Sequence, residues 1–329
     1  MMERVSSRLL WGLGWVGLLL ACGGPPAEPA TPVDGPGTEP ASTPDDSDAV
    51  AEGEEAIKAK DFEKAKKIFG DIVQRRPDHA KANHYLAVAL ENLGDASGAE
   101  KHYRAALASA PTLTDAALNL SALLIDAKKF EDAAKVLSDT AKRNPKDPAL
   151  QINLAYARMG MNDIPGAEAA FAAALAINDT ADARLGLAEL QLSSEKNDEA
   201  LPNIEKAMQL APDNVDVLAT SAELFRKARS AERCIAAYDK ALALKPVAQL
   251  YANRGVCKQM KKEMPGAKAD YQKAIEVDPS FAPAHFLLGR FLLSVEKNRK
   301  AAIAAFEACA KVAPESKCAQ AAEQARNQK

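Results

Sequence analysis

The sequence predicts an all-α solenoid of about eight helical hairpins closed by a C-terminal capping helix, and three observations carry that expectation. One pattern recurs eight times, its copies 34, 34, 34, 33, 34, 33 and 35 residues apart. Inside each copy a small residue is followed four places on by an aromatic or apolar one, and three further on by a residue that is usually small, which is the spacing of one helix face. A Pro stands five places later in every copy but one, where it stops the helix without breaking a ladder bond.

Taken in order, the copies read Ala65, Phe69, Ile72, Pro77; Ala99, Tyr103, Ala106, Pro111; Ala133, Leu137, Thr140, Pro145; and Ala167, Phe171, Ala174, Asp179. They continue as Ala200, Ile204, Ala207, Pro212; Cys234, Tyr238, Ala241, Pro246; Ala267, Tyr271, Ala274, Pro279; and Ala302, Phe306, Cys309, Pro314. Upstream, an earlier helix in each unit carries pairs such as Leu86-Ala87, Leu120-Ser121, Leu154-Ala155 and Leu187-Ala188. Small residues let two antiparallel helices approach, and the large residue fills the next gap. The register resembles the tetratricopeptide repeat over residues 46 to about 316. That resemblance implies a right-handed superhelix whose first helices line a concave, protein-binding face. Units are expected at 46–79, 80–113, 114–147, 148–180, 181–214, 215–247, 248–281 and 282–316, with 317–329 as the cap helix.

Departures from the pattern carry expectations of their own. The first unit lacks a large residue at the usual aromatic position of its first helix, so that helix is expected to fray. Pro165 and Pro265 fall in first turns, where Pro is harmless. Pro202 lies a turn deeper and the fourth unit ends in Asp179 rather than Pro, which together predict a softened joint over 175–210.

Composition bounds the function. Of 329 residues, 42 are Lys or Arg and 45 Asp or Glu, a formal charge of −3, and 5% are aromatic. Such a balance excludes a multi-pass membrane protein and gives no basic stripe for nucleic acid. The front is different. Residues 1–21 join Arg4 and Arg8 to an apolar run from Leu9 to Leu20, and Leu19-Leu20-Ala21-Cys22 looks like a bacterial lipobox. The resemblance implies a cleaved signal, acylation of Cys22 and, with Gly23 rather than Asp after it, an outer-membrane lipoprotein facing the periplasm. Inner-membrane and surface placements are the alternatives. Residues 22–48 hold seven prolines, six acids and no Lys or Arg, the composition of a disordered tether between the lipid and a solenoid body at 49–316.

The four later cysteines make no Cys-x-x-Cys pair and His79, His84, His102 and His285 are scattered, so no metal site is expected. In the repeat register Cys234 and Cys257 fall on facing helix positions, as do Cys309 and Cys318. Two readings stand: a pair of disulfides suited to an oxidising compartment, or cysteines filling small core slots. Neither a nucleophile elbow, a phosphate loop nor a dinucleotide fingerprint is present, so no catalytic residue and no cofactor is assigned.

Projected on the family's groove, the lining includes Tyr85, Asn119, Asn153, Tyr156, Asp182, Glu189, Asp216, Glu223 and Asn253. An Asn amide there can bond a ligand backbone through donor and acceptor. The acids favour a neutral or basic segment of another protein, or else they solvate an exposed face. The Lys and Asn order of the family's chaperone-tail clamp is absent. The expected function is a non-enzymatic envelope scaffold that binds other envelope proteins, with a membrane lipid, no nucleic acid and no small-molecule substrate. An adaptor for a periplasmic protease or peptidoglycan enzyme, or a glycan-binding or catalytic protein, is the alternative.

Overall fold

The computed structural model describes residues 44–327 and folds them into seventeen α-helices. The apolar leader, Cys22 and the tether up to residue 43 lie outside the described residues. First helices of successive hairpins are α1 Pro44–Lys58, α3 Ala80–Asn92, α5 Thr114–Asp126, α7 Pro148–Gly160, α9 Ala181–Ser193, α11 Val215–Lys227, α13 Ala248–Met260 and α15 Ala282–Ser294. Second helices are α2 Phe62–Arg75, α4 Ala96–Ser109, α6 Phe130–Arg143, α8 Ile164–Ile177, α10 Asn197–Leu210, α12 Ala231–Leu244, α14 Met264–Val277 and α16 Arg299–Val312, and the cap is α17 Cys318–Asn327.

These helices divide into two compact units between Asp179 and Thr180, α1–α8 in the first and α9–α17 in the second. The division falls at the joint where Asp179 takes the place of the closing Pro. Pro202 lies inside α10, which continues past it to Leu210.

The recurring pattern is the buried seam of every second helix. Ala65, Ala99, Ala133, Ala167, Ala200, Cys234, Ala267 and Ala302 are fully buried, and so are the large residues four places on, from Phe69 to Phe306. A helix with this i, i+4, i+7 stripe gains stability by burying it against its neighbours, because burial of a large apolar side chain contributes about 1.5–3 kcal/mol. In three hairpins the fit is tight enough to require Gly. A Cβ on Gly53, Gly255 or Gly289 would lie 2.5, 2.6 or 2.7 Å from the ring of Phe69, Tyr271 or Phe306.

Each first helix ends alike. The residue after the turn has positive φ in all eight hairpins: Lys60, Gly94, Lys128, Asn162, Glu195, Arg229, Lys262 and Lys297. The next N–H reaches back to the end of the helix, as in Asp61 N–H to Ala56 O at 2.9 Å and Glu263 N–H to Lys258 O at 2.8 Å. This is the left-handed C-terminal cap that Gly favours, yet Gly occupies it once. The residue supplying that N–H then caps the second helix: Asp61, Asp95, Asp163 and Asn298 accept from Lys64, Gly98, Gly166 and Ala301 N–H. Lys262 holds φ 68°. Replacing it with Gly is expected to raise stability by about 1 kcal/mol, since an L-residue costs roughly 1–2 kcal/mol there. Urea unfolding of the single variant measures it, and an unchanged or lower midpoint would show that the turn is unstrained.

One expectation changes at the N-terminal end. Residues 44–48, grouped with the tether by composition, form the first turns of α1. Asp46 is buried there between Arg75 Nη2 at 2.9 Å and Arg76 Nη2 at 2.8 Å, so its charge is compensated. On the partner helix, Phe69 packs into the space over Gly53.

Candidate functional site

Within each unit the first helices approach one another, α1 with α3, α5 with α7, α9 with α11 and α13 with α15. The side chains displayed on these paired first helices form the candidate binding surfaces.

In the first unit that surface is aromatic and largely held in place. Tyr85 is half-buried and stacks on Phe69, centroids 5.2 Å apart and 22° between planes. Lys81 lies 5.9 Å over its ring and pairs with Glu54. Burial, then the nearby Glu54 carboxylate, push the Tyr85 hydroxyl up to about 12, so it stays a neutral donor. His84 packs against Tyr85 and Tyr103 at 5.0 and 5.9 Å, and burial lowers its pKa to about 4. Tyr156 meets Phe171 edge-on at 5.5 Å. Asn119 is half-buried on α5.

Asn153 departs from its expected role. It is 5% exposed and its Nδ2 donates to Ala149 O at 2.9 Å, so the amide closes on its own helix and only the Oδ1 acceptor is unbonded. One turn from a helix carbonyl, the amide is captured locally.

The second unit is polar, and two of its expected acids are already paired. Glu189 accepts from Lys227 Nζ at 2.9 Å, and Glu223 takes Arg226 through two nitrogens at 2.8 and 2.5 Å. A groove with a large negative surplus is therefore not what these residues build. Asp182 is exposed, while Asp216 is half-buried at the start of α11, its own N–H bonded to Asn214 Oδ1 at 2.9 Å. Asn253 is half-buried next to the Tyr238 hydroxyl, whose ionisation burial and the Glu223 charge push upward. Two further tyrosine hydroxyls hold groove positions from behind, Tyr103 bonding Glu91 and Tyr271 bonding Gln259, both at 2.9 Å.

One set of polar contacts was missed in the sequence. The residue three places after the small seam residue is polar in three hairpins and bonds the facing first helix. His102 Nδ1 meets Asn83 Oδ1 at 2.8 Å; Asn203 bonds Arg184 and Gln191; Asp270 bonds Arg254 at 2.6 Å and Lys258 at 2.9 Å. Asp270 is 4% exposed, and its two cations compensate the buried charge. The signal was available: a polar residue at a place that is Ala170 or Ala237 in other copies.

Both facing cysteine pairs are joined. Cys234 in α12 and Cys257 in α13 have Cα atoms 6.0 Å apart, and Cys309 in α16 and Cys318 in α17 5.7 Å. Among the described residues no group of His, Cys, Asp and Glu could hold a metal, and no helix is long and apolar enough to cross a membrane.

Comparison with known proteins agrees with this architecture. Tetratricopeptide-repeat family models match residues 50–113, 93–155 and 124–190. A tetratricopeptide repeat protein of Parabacteroides merdae superimposes with a TM-score of 0.56 at 19% identity, over 75% of this chain and 98% of that one. Yeast Tom70 gives 0.60 at 17% identity, over 81% and 59%, and Pseudomonas aeruginosa pilF 0.50 at 20%, over 63% and 94%. Human protein O-mannosyl-transferase TMTC1 is 26% identical over 213 residues, 61% of this chain, which spans only 23% of that relative.

Proposed function

From the premise that this chain is built of tetratricopeptide repeats, a fold that serves protein–protein interaction, we propose that it is a lipid-anchored adaptor of the bacterial cell envelope. On this reading Cys22 carries the lipid, an acidic and Pro-rich leash follows, and the repeats hold other envelope proteins during assembly of a periplasmic or outer-membrane complex. The role is non-enzymatic. What supports it is the partial exposure of Tyr85, Asn119 and Tyr156 on first helices of one unit and of Asn253 on a first helix of the other, each within a continuous helix. Half-buried aromatics on rigid helices provide contact area with little ordering entropy on binding, which suits a partner-binding surface.

Two measurements on the full chain test this. Cys22→Ala is expected to move the protein from the membrane to the soluble fraction of cells, since one or more acyl chains supply the anchor. Envelope proteins captured with the wild type are expected to be lost when Tyr85, Asn119 and Tyr156 are replaced together by Ala in a variant with unchanged helical signal. Retention of the same partners by that variant would contradict binding through this face.

A further inference from the structure

We propose that the Cys309–Cys318 disulfide is a redox latch that holds the cap helix α17 over the end of the repeat stack, whereas Cys234–Cys257 is a permanent staple. The two bonds occupy very different settings. Cys234 and Cys257 are fully buried between helices of 14 and 13 residues, with Tyr238, Phe225 and Leu250 in the same core and further hairpins on either side. Packing holds those helices together whether or not the sulfurs are joined.

The cap is short, and small side chains make up its packing. It is 10 residues long, short of the length at which a helix is stable alone, and its buried side chains are Cys318, Ala322 and Ala325. Ala322 and Ala325 pack in one apolar cluster with Leu292, Ala302, Ala305 and Phe306 of the last hairpin. Arg326 and Glu307, both about half exposed, form an ion pair, a kind that contributes little. A bond across the nine-residue separation of Cys309 and Cys318 thus adds a covalent restraint to a short helix packed through alanines. Cys318 is also the first residue of its helix, so fraying of one turn gives a reductant access that the mid-stack pair lacks.

The exchange requires a dithiol. Its thiolate attacks Cys318 Sγ, Cys309 leaves as the thiolate and takes up a proton, and the second thiol of the reductant resolves the mixed disulfide. Two thiols remain on the protein, and the reductant becomes a disulfide. Once freed, α17 undocks and the apolar end of the stack is uncovered, the surface that a terminal cap exists to shield.

Hydrogen exchange by mass spectrometry on the full chain, with and without dithiothreitol, tests the latch. Reduction is expected to speed exchange in 318–327 on the order of 100-fold while α12 and α13 keep their protection. Cys309→Ser/Cys318→Ser should show fast exchange without reductant, and Cys234→Ser/Cys257→Ser should not. Timed thiol labelling should trap Cys309 and Cys318 first. Equal protection of 318–327 in both redox states, earlier labelling of Cys234 and Cys257, or four free thiols in the unreduced protein would each overturn the proposal.

Discussion

Truncating Tyr271 to Ala is expected to destabilise the second unit by about 3–5 kcal/mol, the range for removing a large buried aromatic. The ring is fully buried, lies edge-on to Phe291 at 6.1 Å, and its hydroxyl bonds Gln259 at 2.9 Å. It also occupies the space that a Cβ on Gly255 would fill, 2.6 Å from the ring. Gly255→Val alone therefore forces the ring or helix α13 aside, an overpacking expected to cost about 1–3 kcal/mol. The two changes act on one volume, so they should not add. With Tyr271 already Ala, Val at 255 enters a vacated space and the second penalty shrinks or reverses. Urea unfolding of the two single variants and the double variant measures the coupling. Simple additivity would mean that Gly255 is not there to make room for the ring.

Acidification is expected to weaken the first unit through His84. Its folded pKa, about 4, lies below the ordinary 6.5 because burial disfavours the imidazolium, with the Lys81 charge adding to this and Asp115 opposing it. Between those two values the unfolded chain binds a proton that the folded chain refuses, so stability rises with pH. It is complete above about pH 6.5 and is lost as the pH falls towards 4, a total of about 3 kcal/mol. His84 is 5% exposed, so solvent does little to soften the effect. His84→Phe keeps an aromatic ring between Tyr85 and Tyr103 and removes the titration. Exchange protection of α3 and α4 should drop from pH 6.5 to 4.5 in the wild type more steeply than in the variant. Parallel profiles would show that His84 does not carry the dependence.

The seam of the second helices was legible because burial there dictates residue size: eight small residues and eight large ones recur whatever the surface does. The hairpin turns were not legible, although they repeat as strictly. Their left-handed residue is Gly only at Gly94, and Lys60, Lys128 or Arg229 gives no turn signal, since tertiary packing imposes the conformation at a strain the sequence does not display. The chemistry of the first-helix side chains was less legible than the seam. Register predicts which first-helix positions are displayed, Tyr85, Asn119 and Tyr156 in the first unit and Asn253 in the second, but whether a charge is available depends on long side chains from the next hairpin. Lys227 on Glu189 is such a case, a pair 38 residues apart. Asn153 shows the same limit at short range, its amide taken by a carbonyl one turn away.

On the proposed reading, partners bind the side chains that the first helices of each unit display. A photo-reactive amino acid placed singly at Tyr85, Asn119, Tyr156 or Asn253, and for comparison at the exposed second-helix residues Ala172, Ala236 and Ala304, locates the contact in living cells. Irradiation is expected to yield discrete adducts with other envelope proteins from the first group and none from the second. Adducts confined to Ala172, Ala236 and Ala304 would place binding on the opposite side and contradict the account.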